Sequence, residues 1–313
     1  EKSIIHTRYW VRQWNEAGDE VLGAFDSNRS AYSKLLPSIA LTYRPGDRSV
    51  YRASLWTSYT RPPFFQLGGS ATQTYDPATR VTSITRGNPD LKTIDAINFD
   101  VSGGWTFDQH GYLSVGAYYK HLSNYIYGSG SNYVNSERGQ ISRVIVNQPR
   151  NGGDGDLFGV EFEGQQKLGA LNPVLDGFSI GGNLTLQHSE VDIGADWGRH
   201  QRMQNAPNVT GNIGVFYADD RFTLDLLYRY TSDFLQKYDL FSTGSSWSDV
   251  WVRPTRRVDL HAGYRLGAVD LDLSIANLTG THSYWSHVGR NSSAISDIVQ
   301  SGRTALLTAK YSF

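Results

Sequence analysis

Apolar and polar residues alternate with a period of two along most of this chain. Between positions 222 and 226, for example, Phe222, Leu224 and Leu226 alternate with Thr223 and Asp225. Because successive side chains of a strand point to opposite faces, this pattern predicts strands with one apolar and one polar face. Helical periodicity is almost absent. About twelve alternating segments occur, at 4–14, 35–43, 51–59, 97–107, 113–120, 158–163, 178–187, 209–217, 222–231, 258–265, 269–275 and 304–313.

The connections between these segments alternate between two lengths. Short ones carry turn-forming residues and lie at 45–47, 108–111, 218–220 and 266–268, with a somewhat longer one at 168–177. Long ones lie at about 15–30, 61–91, 124–156, 190–207, 233–251 and 279–302. Short turns at one end and long loops at the other are typical of an up-and-down transmembrane barrel. A soluble Greek-key sandwich, the alternative, mixes both lengths at both ends.

Composition supports an all-β, antiparallel transmembrane β-barrel. Aromatic residues lie toward strand ends, as in interfacial belts, at Tyr43, Tyr59, Phe107, Tyr217, Tyr264 and Phe313. No apolar run approaches the roughly 18–20 residues that a membrane-spanning helix needs. The net charge of -1 gives no electrostatic case for binding nucleic acid, and the absence of cysteine excludes disulfides and thiolate chemistry.

Several motifs resemble the barrel of TonB-dependent outer-membrane receptors. The most specific are Arg86-Gly87-Asn88-Pro89-Asp90-Leu91-Lys92 and the terminal Tyr311-Ser312-Phe313. The others are residues 35–41, 60–64, 116–120, 147–149, 151–153, 159–161 and 276–278. The element Gln148-Pro149 with Asn151-Gly152-Gly153 is similar to a subgroup that is often linked to carbohydrate uptake.

The resemblance implies a barrel of roughly 22 strands that encloses an N-terminal plug. About twelve strands would then be the C-terminal part of the barrel. The plug and the first strands would be supplied by the same precursor or by a second chain, because an open sheet leaves unpaired edges in lipid. A self-standing porin-like channel is the alternative.

The implied function is active transport across the bacterial outer membrane, without enzymatic activity. The receptor would bind a scarce small nutrient, a carbohydrate or a ferric siderophore, at its outward loops. It would import that nutrient with energy that the TonB complex transmits through the plug. Outer-membrane lipid would surround the barrel.

The long loops supply the candidate ligand-binding residues. Aromatic rings stack on sugars or on flat siderophore surfaces, and arginines hold carboxylate or phosphate groups. Belt residues and loop packing would account equally well for many of these side chains. The candidates are Arg61, Phe64, Phe65, Tyr75, Tyr127, Tyr133, Arg143, Arg150, Trp197, Tyr238, Trp247, Trp285 and Arg290.

The polar strand faces are expected to line the lumen and to contact the plug. Their charged residues are Arg52, Asp100, Lys120, Glu161, Glu163, Asp225, Arg229, Arg257, Asp259, Asp270 and Asp272. Glu161 and Glu163 share a face, but a strand wall does not place two carboxylates on either side of a sugar, so we expect no catalysis. Asp154 and Asp156 lie in an oxygen-rich loop that could hold calcium, although turn chemistry explains it equally well. No cofactor or metal is expected.

Overall fold

The protein is described here by a computed structural model covering residues 1–14, 20–107, 110–137, 140–193, 201–239 and 249–313. Side chains are described throughout these ranges except at 11–14, 20–22, 129–137 and 140–143. The strands are β1 (Lys2–Trp14), β2 (Glu20–Ser33), β3 (Ser38–Gly46), β4 (Ser49–Thr60), β5 (Ala71–Asp76), β6 (Val81–Arg86), β7 (Ile94–Phe107), β8 (Gly111–Ser123), β9 (Ile126–Glu137), β10 (Gln140–Asn151), β11 (Gly155–Lys167), β12 (Phe178–Val191), β13 (Val209–Ala218), β14 (Phe222–Thr231), β15 (Phe234–Lys237), β16 (Val250–Val252), β17 (Thr255–Leu266), β18 (Val269–Ala276), β19 (Tyr284–Val288), β20 (Ile295–Val299) and β21 (Thr304–Tyr311). Helix α1 (Phe64–Leu67) and two 3-10 turns, Leu168–Ala170 and Pro173–Leu175, complete the assignment.

One antiparallel sheet of eleven strands, which we call the wall, dominates the described part of the chain. Its order is β21-β18-β17-β14-β13-β12-β11-β8-β7-β4-β3, so every neighbour in the wall is also the next wall strand along the chain. This confirms the predicted all-β antiparallel fold. The predicted strand at 4–14 lies outside the wall, because β1 pairs only with β2 within the described residues and forms a separate hairpin.

The strand register separates an apolar face of the wall from a polar face. Leu226 pairs with Val215 on one side and Leu260 on the other, whereas the adjacent Asp225 pairs with His261. The apolar side chains are open to the surroundings; Leu41 is 68% exposed and Leu307 is 69% exposed. A continuous apolar surface of this extent marks a face that contacts something other than water.

Aromatic rings gather on the apolar face where the short turns join the strands, which we call the short-turn end. Trp105 packs edge-on against Tyr51 with ring centroids 5.9 Å apart, and its indole N–H donates to the Tyr51 hydroxyl at 3.1 Å. Phe178 and Tyr217 pack at 4.7 Å on the neighbouring strands β12 and β13. Rings with an apolar body and a polar tip are suited to the boundary between hydrocarbon and water.

The opposite, long-loop end of the wall carries further sheets that the sequence pattern does not predict. Strands β5-β6-β10-β9 form one sheet, in which β6 and β10 are parallel, and β15-β16-β19-β20 form another. These strands occupy connections that the sequence pattern predicts as long loops. Among the described residues no helix is long and apolar enough to cross a membrane.

Buried side chains are concentrated beyond the wall, at the long-loop end. One cluster contains Tyr127, Val191, Ile193, Met203, Leu235, Tyr238 and Trp251. A second cluster joins Ile5 of β1 to Leu67 and Leu91. Burial of an aliphatic or aromatic side chain contributes about 1.5–3 kcal/mol. These clusters therefore hold the connections of different strand pairs in a fixed arrangement.

Candidate functional site

Nine of the thirteen predicted ligand residues have described side chains, and these nine fall into three groups. Five are accessible side chains at the long-loop end: Phe64, Phe65, Tyr75, Arg150 and Trp285. Two are engaged in ion pairs, Arg61 with Glu1 and Arg290 with Asp233. Two are buried, Tyr127 and Tyr238. Trp197 and Trp247 lie outside the described residues; Tyr133 and Arg143 lie on β9 and β10, but their side chains are not described.

Tyr127 and Tyr238 pack against the protein rather than facing an open surface. Their rings meet edge-on with centroids 6.5 Å apart, and the Tyr238 hydroxyl donates to the main-chain oxygen of Arg202 at 2.6 Å. Burial raises the pKa of the Tyr238 hydroxyl far above its ordinary value. We therefore assign these two rings to the core that supports the site, not to stacking on a ligand.

An arginine and a carboxylate pair beside this core, and Arg202 lies close enough to both to be affected by their charges. The Arg290 Nε donates to Asp233 Oδ2 at 2.7 Å, and its guanidinium lies over the Trp251 ring, 4.9 Å from the ring centroid. Burial lowers the pKa of Arg202, the nearby Arg290 lowers it further, and Asp233 acts in the opposite direction. We call Arg202, Arg290, Asp233 and Trp251 the arginine site. The Arg202 guanidinium donates to Asn208 Oδ1 while Arg290 pairs with Asp233, so the site holds two guanidinium groups and one carboxylate and has excess positive charge.

The turn that carries Arg290 is fixed by Arg253. The Arg253 Nη1 donates to the main-chain oxygen of Arg290 at 2.7 Å, and its Nη2 donates to the main-chain oxygen of Ser292. The buried His287 reaches the same Ser292 oxygen through Nδ1 at 2.7 Å. Because the main chain at Arg290 is fixed, the Arg290 guanidinium loses little conformational freedom when it binds a ligand. This favours the recognition of planar anions.

A buried carboxylate lies at the edge of this region. Asp249 Oδ1 accepts the main-chain N–H of Asp239 at 2.6 Å, and its main-chain oxygen accepts the N–H of Gly289 at 2.7 Å. Burial raises the pKa of the Asp249 carboxyl to about 6, and the nearby Asp239 also raises it. Asp249 therefore carries its charge at neutral pH at the expense of local stability.

Replacing Asp249 with asparagine is expected to remove a pH dependence of local opening. Because the folded-state pKa is raised, this group stabilises the fold increasingly as pH falls through about 6, and that contribution is lost as pH rises. Between pH 5 and pH 7 the opening equilibrium of the parent should increase by up to roughly tenfold. Asp249→Asn retains an acceptor for the Asp239 N–H and should flatten this slope. Hydrogen exchange at Gly289, corrected for intrinsic rates, measures it; equal slopes in parent and variant would contradict the assignment.

The motifs at 86–92 and 147–151 are joined by side-chain hydrogen bonds. Asn88 donates to the main-chain oxygen of Pro149 at 3.0 Å, and Gln148 donates to that of Gly87 at 3.0 Å. Asn151 accepts the Lys92 N–H at 2.8 Å and donates to the Lys92 oxygen at 3.1 Å. A Cβ at Gly87 would collide with the main-chain oxygen of Gly68. These motif residues therefore clamp two long connections together.

The eleven predicted lumen residues all lie on the polar face of the wall by register. Several pair across strands. Arg229 Nε lies 3.5 Å from Asp259, and His261 lies between Asp225 and Asp272 at 3.3 and 3.4 Å. Asp100 accepts the Trp56 indole N–H at 2.6 Å. That this face contacts a plug stays a prediction.

The predicted calcium ligands lie near a histidine. The Asp156 carboxylate accepts the Tyr119 hydroxyl at 2.5 Å and lies 2.9 Å from His121 Nδ1, and Asp154 is 4.0 Å from His121 Nε2. Within the part of the chain that the structure describes, no group of three or more His, Asp or Glu side chains has an arrangement that could hold a metal ion.

An up-and-down antiparallel wall with short turns at one end and structured long loops at the other is the architecture of a β-barrel wall. The family model described as TonB dependent receptor-like, beta-barrel matches residues 7–278, and the chain belongs to that family. Among curated proteins, no sequence matches the chain.

Solved structures show the same fold. The ferric enterobactin receptor PfeA from Pseudomonas aeruginosa is 18% identical with a TM-score of 0.62; the match covers 93% of this chain and 42% of PfeA. The ferric yersiniabactin uptake receptor FyuA from Yersinia pestis is 14% identical, with a TM-score of 0.61 and coverage of 100% and 42%. The ferric citrate transporter FecA is 16% identical, with a TM-score of 0.58 and coverage of 98% and 42%. The chain therefore spans less than half the length of these structures.

Proposed function

We propose that the chain is the C-terminal barrel portion of an outer-membrane receptor that imports a ferric siderophore. The observation that carries the ligand class is the arginine site, which has excess positive charge and lies at the long-loop end of a TonB-dependent receptor wall. Ferric siderophores are commonly anionic and present flat chelating groups, and the arginine fork and the aromatic rings of the loops complement these features.

The apolar face of the wall supports the membrane location. Its side chains alternate with the polar face along every wall strand, and an aromatic belt lies at the short-turn end. In lipid the backbone polar groups require a closed ladder, so the two edge strands, β3 and β21, would pair with further strands of the receptor. We propose that the same precursor or a second chain supplies those strands together with the plug.

We propose that this arrangement also serves energy coupling. The polar face of the wall, with its paired charges around His261 and Asp100, would contact the plug, and TonB would act on the plug from the short-turn side. We propose no catalytic step and no resident cofactor, because the receptor would bind its ligand and release it unchanged.

Binding by the intact receptor tests the proposal. We expect the purified receptor, with its plug, to bind ferric catecholate or ferric carboxylate siderophores with a Kd on the order of 1 µM or tighter, near -8 kcal/mol. Equilibrium binding with a siderophore panel and a neutral oligosaccharide panel measures this. Tight binding of neutral glycans alone would favour carbohydrate import and overturn the siderophore assignment.

A second measurement separates active import from passive diffusion. Uptake of the ferric ligand into cells should stop when the proton gradient that drives TonB is dissipated. Uptake that persists, together with ion conductance of the purified protein in planar bilayers, would identify a porin-like channel instead.

A further inference from the structure

A trough crosses the central strands of the apolar face, in the half of the wall nearest the short turns. It has a volume of about 600 Å3 and is lined almost entirely by apolar atoms. Its floor follows one line of paired residues, Leu113, Gly164, Gly182, Ile213 and Tyr228, which lie on β8, β11, β12, β13 and β14. Neighbouring strands lie about 4.8 Å apart, so the line is roughly 19 Å long.

The trough exists because two paired positions carry no side chain. Gly164 and Gly182 are partners on the apolar face of β11 and β12, and a Cβ at Gly182 would meet the main-chain oxygen of Asn212. Leu113 leans across the first glycine, with its Cδ1 3.5 Å from where a Cβ of Gly164 would stand. The backbone N–H and C=O groups beneath the trough are paired within the sheet, so they are not available to bind a polar ligand.

The geometry points to a phospholipid acyl chain as the occupant of this trough. The inference rests on the proposed function, because it requires the apolar face to contact lipid. An open, elongated and apolar depression that is continuous with the lipid-facing surface is complementary to an extended hydrocarbon chain. The trough crosses the strands, which tilt by roughly 35–45° in such barrels, so a chain lying in it would run obliquely through one leaflet.

The position of the trough indicates which leaflet of the membrane would supply the acyl chain. One end reaches Phe107 and Gln166, within a few residues of the short turns, and the Gln166 side chain is polar. In the proposed orientation the short turns face the periplasm, and the inner leaflet there is formed by phospholipid. The amide of Gln166 then lies near the headgroup level, while the chain extends along Gly164 and Gly182.

Photo-crosslinking tests this assignment on the complete receptor in vesicles of phosphatidylethanolamine and phosphatidylglycerol. The probe is a phospholipid with a diazirine midway along one acyl chain. We expect crosslinks to concentrate on β8 and β11–β13 in the parent. Filling the trough with Leu113→Trp and Ile213→Trp should lower that yield about fivefold. Leu273→Trp, on the same face of β18 but outside the trough, should leave it unchanged.

Two outcomes would overturn the inference. Crosslinks spread evenly over the apolar face, or a yield that the double variant does not change, would mean that the trough holds no preferred chain. Crosslinking only by a lipid A probe would overturn the choice of phospholipid. Heat-modifiable migration and siderophore binding of the same samples test the proposed function separately, because a receptor without a preferred lipid would still insert and bind.

Discussion

Replacing Asn277 with alanine is expected to lower the free energy of unfolding by roughly 3–5 kcal/mol. Asn277 is buried where β18 leaves the wall, and its Nδ2 donates to the main-chain oxygens of Thr281 and Gly302 at 2.8 and 2.9 Å. Its Oδ1 accepts from the Thr281 N–H and hydroxyl, both at 3.0 Å. Alanine would leave these buried groups without partners and would also be strained at a φ of 57°.

A second asparagine separates backbone strain from lost hydrogen bonds. Asn205 has almost the same conformation, with a φ of 59°, but is exposed. Asn205→Ala should therefore cost only about 1 kcal/mol. Urea unfolding of the complete receptor in detergent, followed by tryptophan fluorescence, measures both. If the two variants lose equal stability, the hydrogen bonds of Asn277 do not carry the effect.

The double substitution Arg202→Ala and Arg290→Ala is expected to weaken binding of a ferric siderophore by a hundredfold or more, about 3 kcal/mol. It removes both guanidinium groups and leaves the Asp233 carboxylate without its 2.7 Å partner. The charge of the site therefore changes from positive to negative. The weakening should shrink at high ionic strength, because salt screens the lost attraction. Equilibrium titration of the complete receptor measures the effect.

Two variants make this experiment specific. Arg44→Ala removes an exposed arginine on β3 at the opposite, short-turn end and should change affinity by less than about threefold. Arg290→Lys keeps the charge but loses the planar fork and should give an intermediate loss. Unchanged affinity in the double variant, with normal migration in gels, would show that the ligand binds elsewhere.

The strands of the wall can be predicted from the sequence because the alternation of apolar and polar residues lies within each strand. Alternation along each strand decides which side chains share a face, so Leu226 and Asp225 could be separated without knowing their neighbours. The strands in the long connections gave no comparable signal. β9 reads Ile-Tyr-Gly-Ser-Gly-Ser-Asn-Tyr-Val-Asn-Ser-Glu, and its partner β10 in turn pairs with a strand that precedes it by a whole hairpin.

The candidate site was only partly accessible for the same reason. The sequence predicts Arg290 from its place in a long loop, but it does not indicate that Arg202 and Arg253 lie beside Arg290, because these connections meet only in the folded protein. Tyr127 and Tyr238 belong to a residue type that often stacks on ligands, yet tertiary packing buries both rings. Loop position alone does not distinguish a supporting ring from a binding ring.

The parallel pairing of β6 with β10 has a mechanical consequence. Five consecutive residue pairs, from Arg143 with Val81 to Asn147 with Thr85, join the connection after β4 to the connection after β8. Asn88 and Gln148 continue that junction with hydrogen bonds. Neither connection can swing independently without breaking several of these bonds. Any movement that opens the long-loop end of the wall would therefore displace both connections together as one rigid unit.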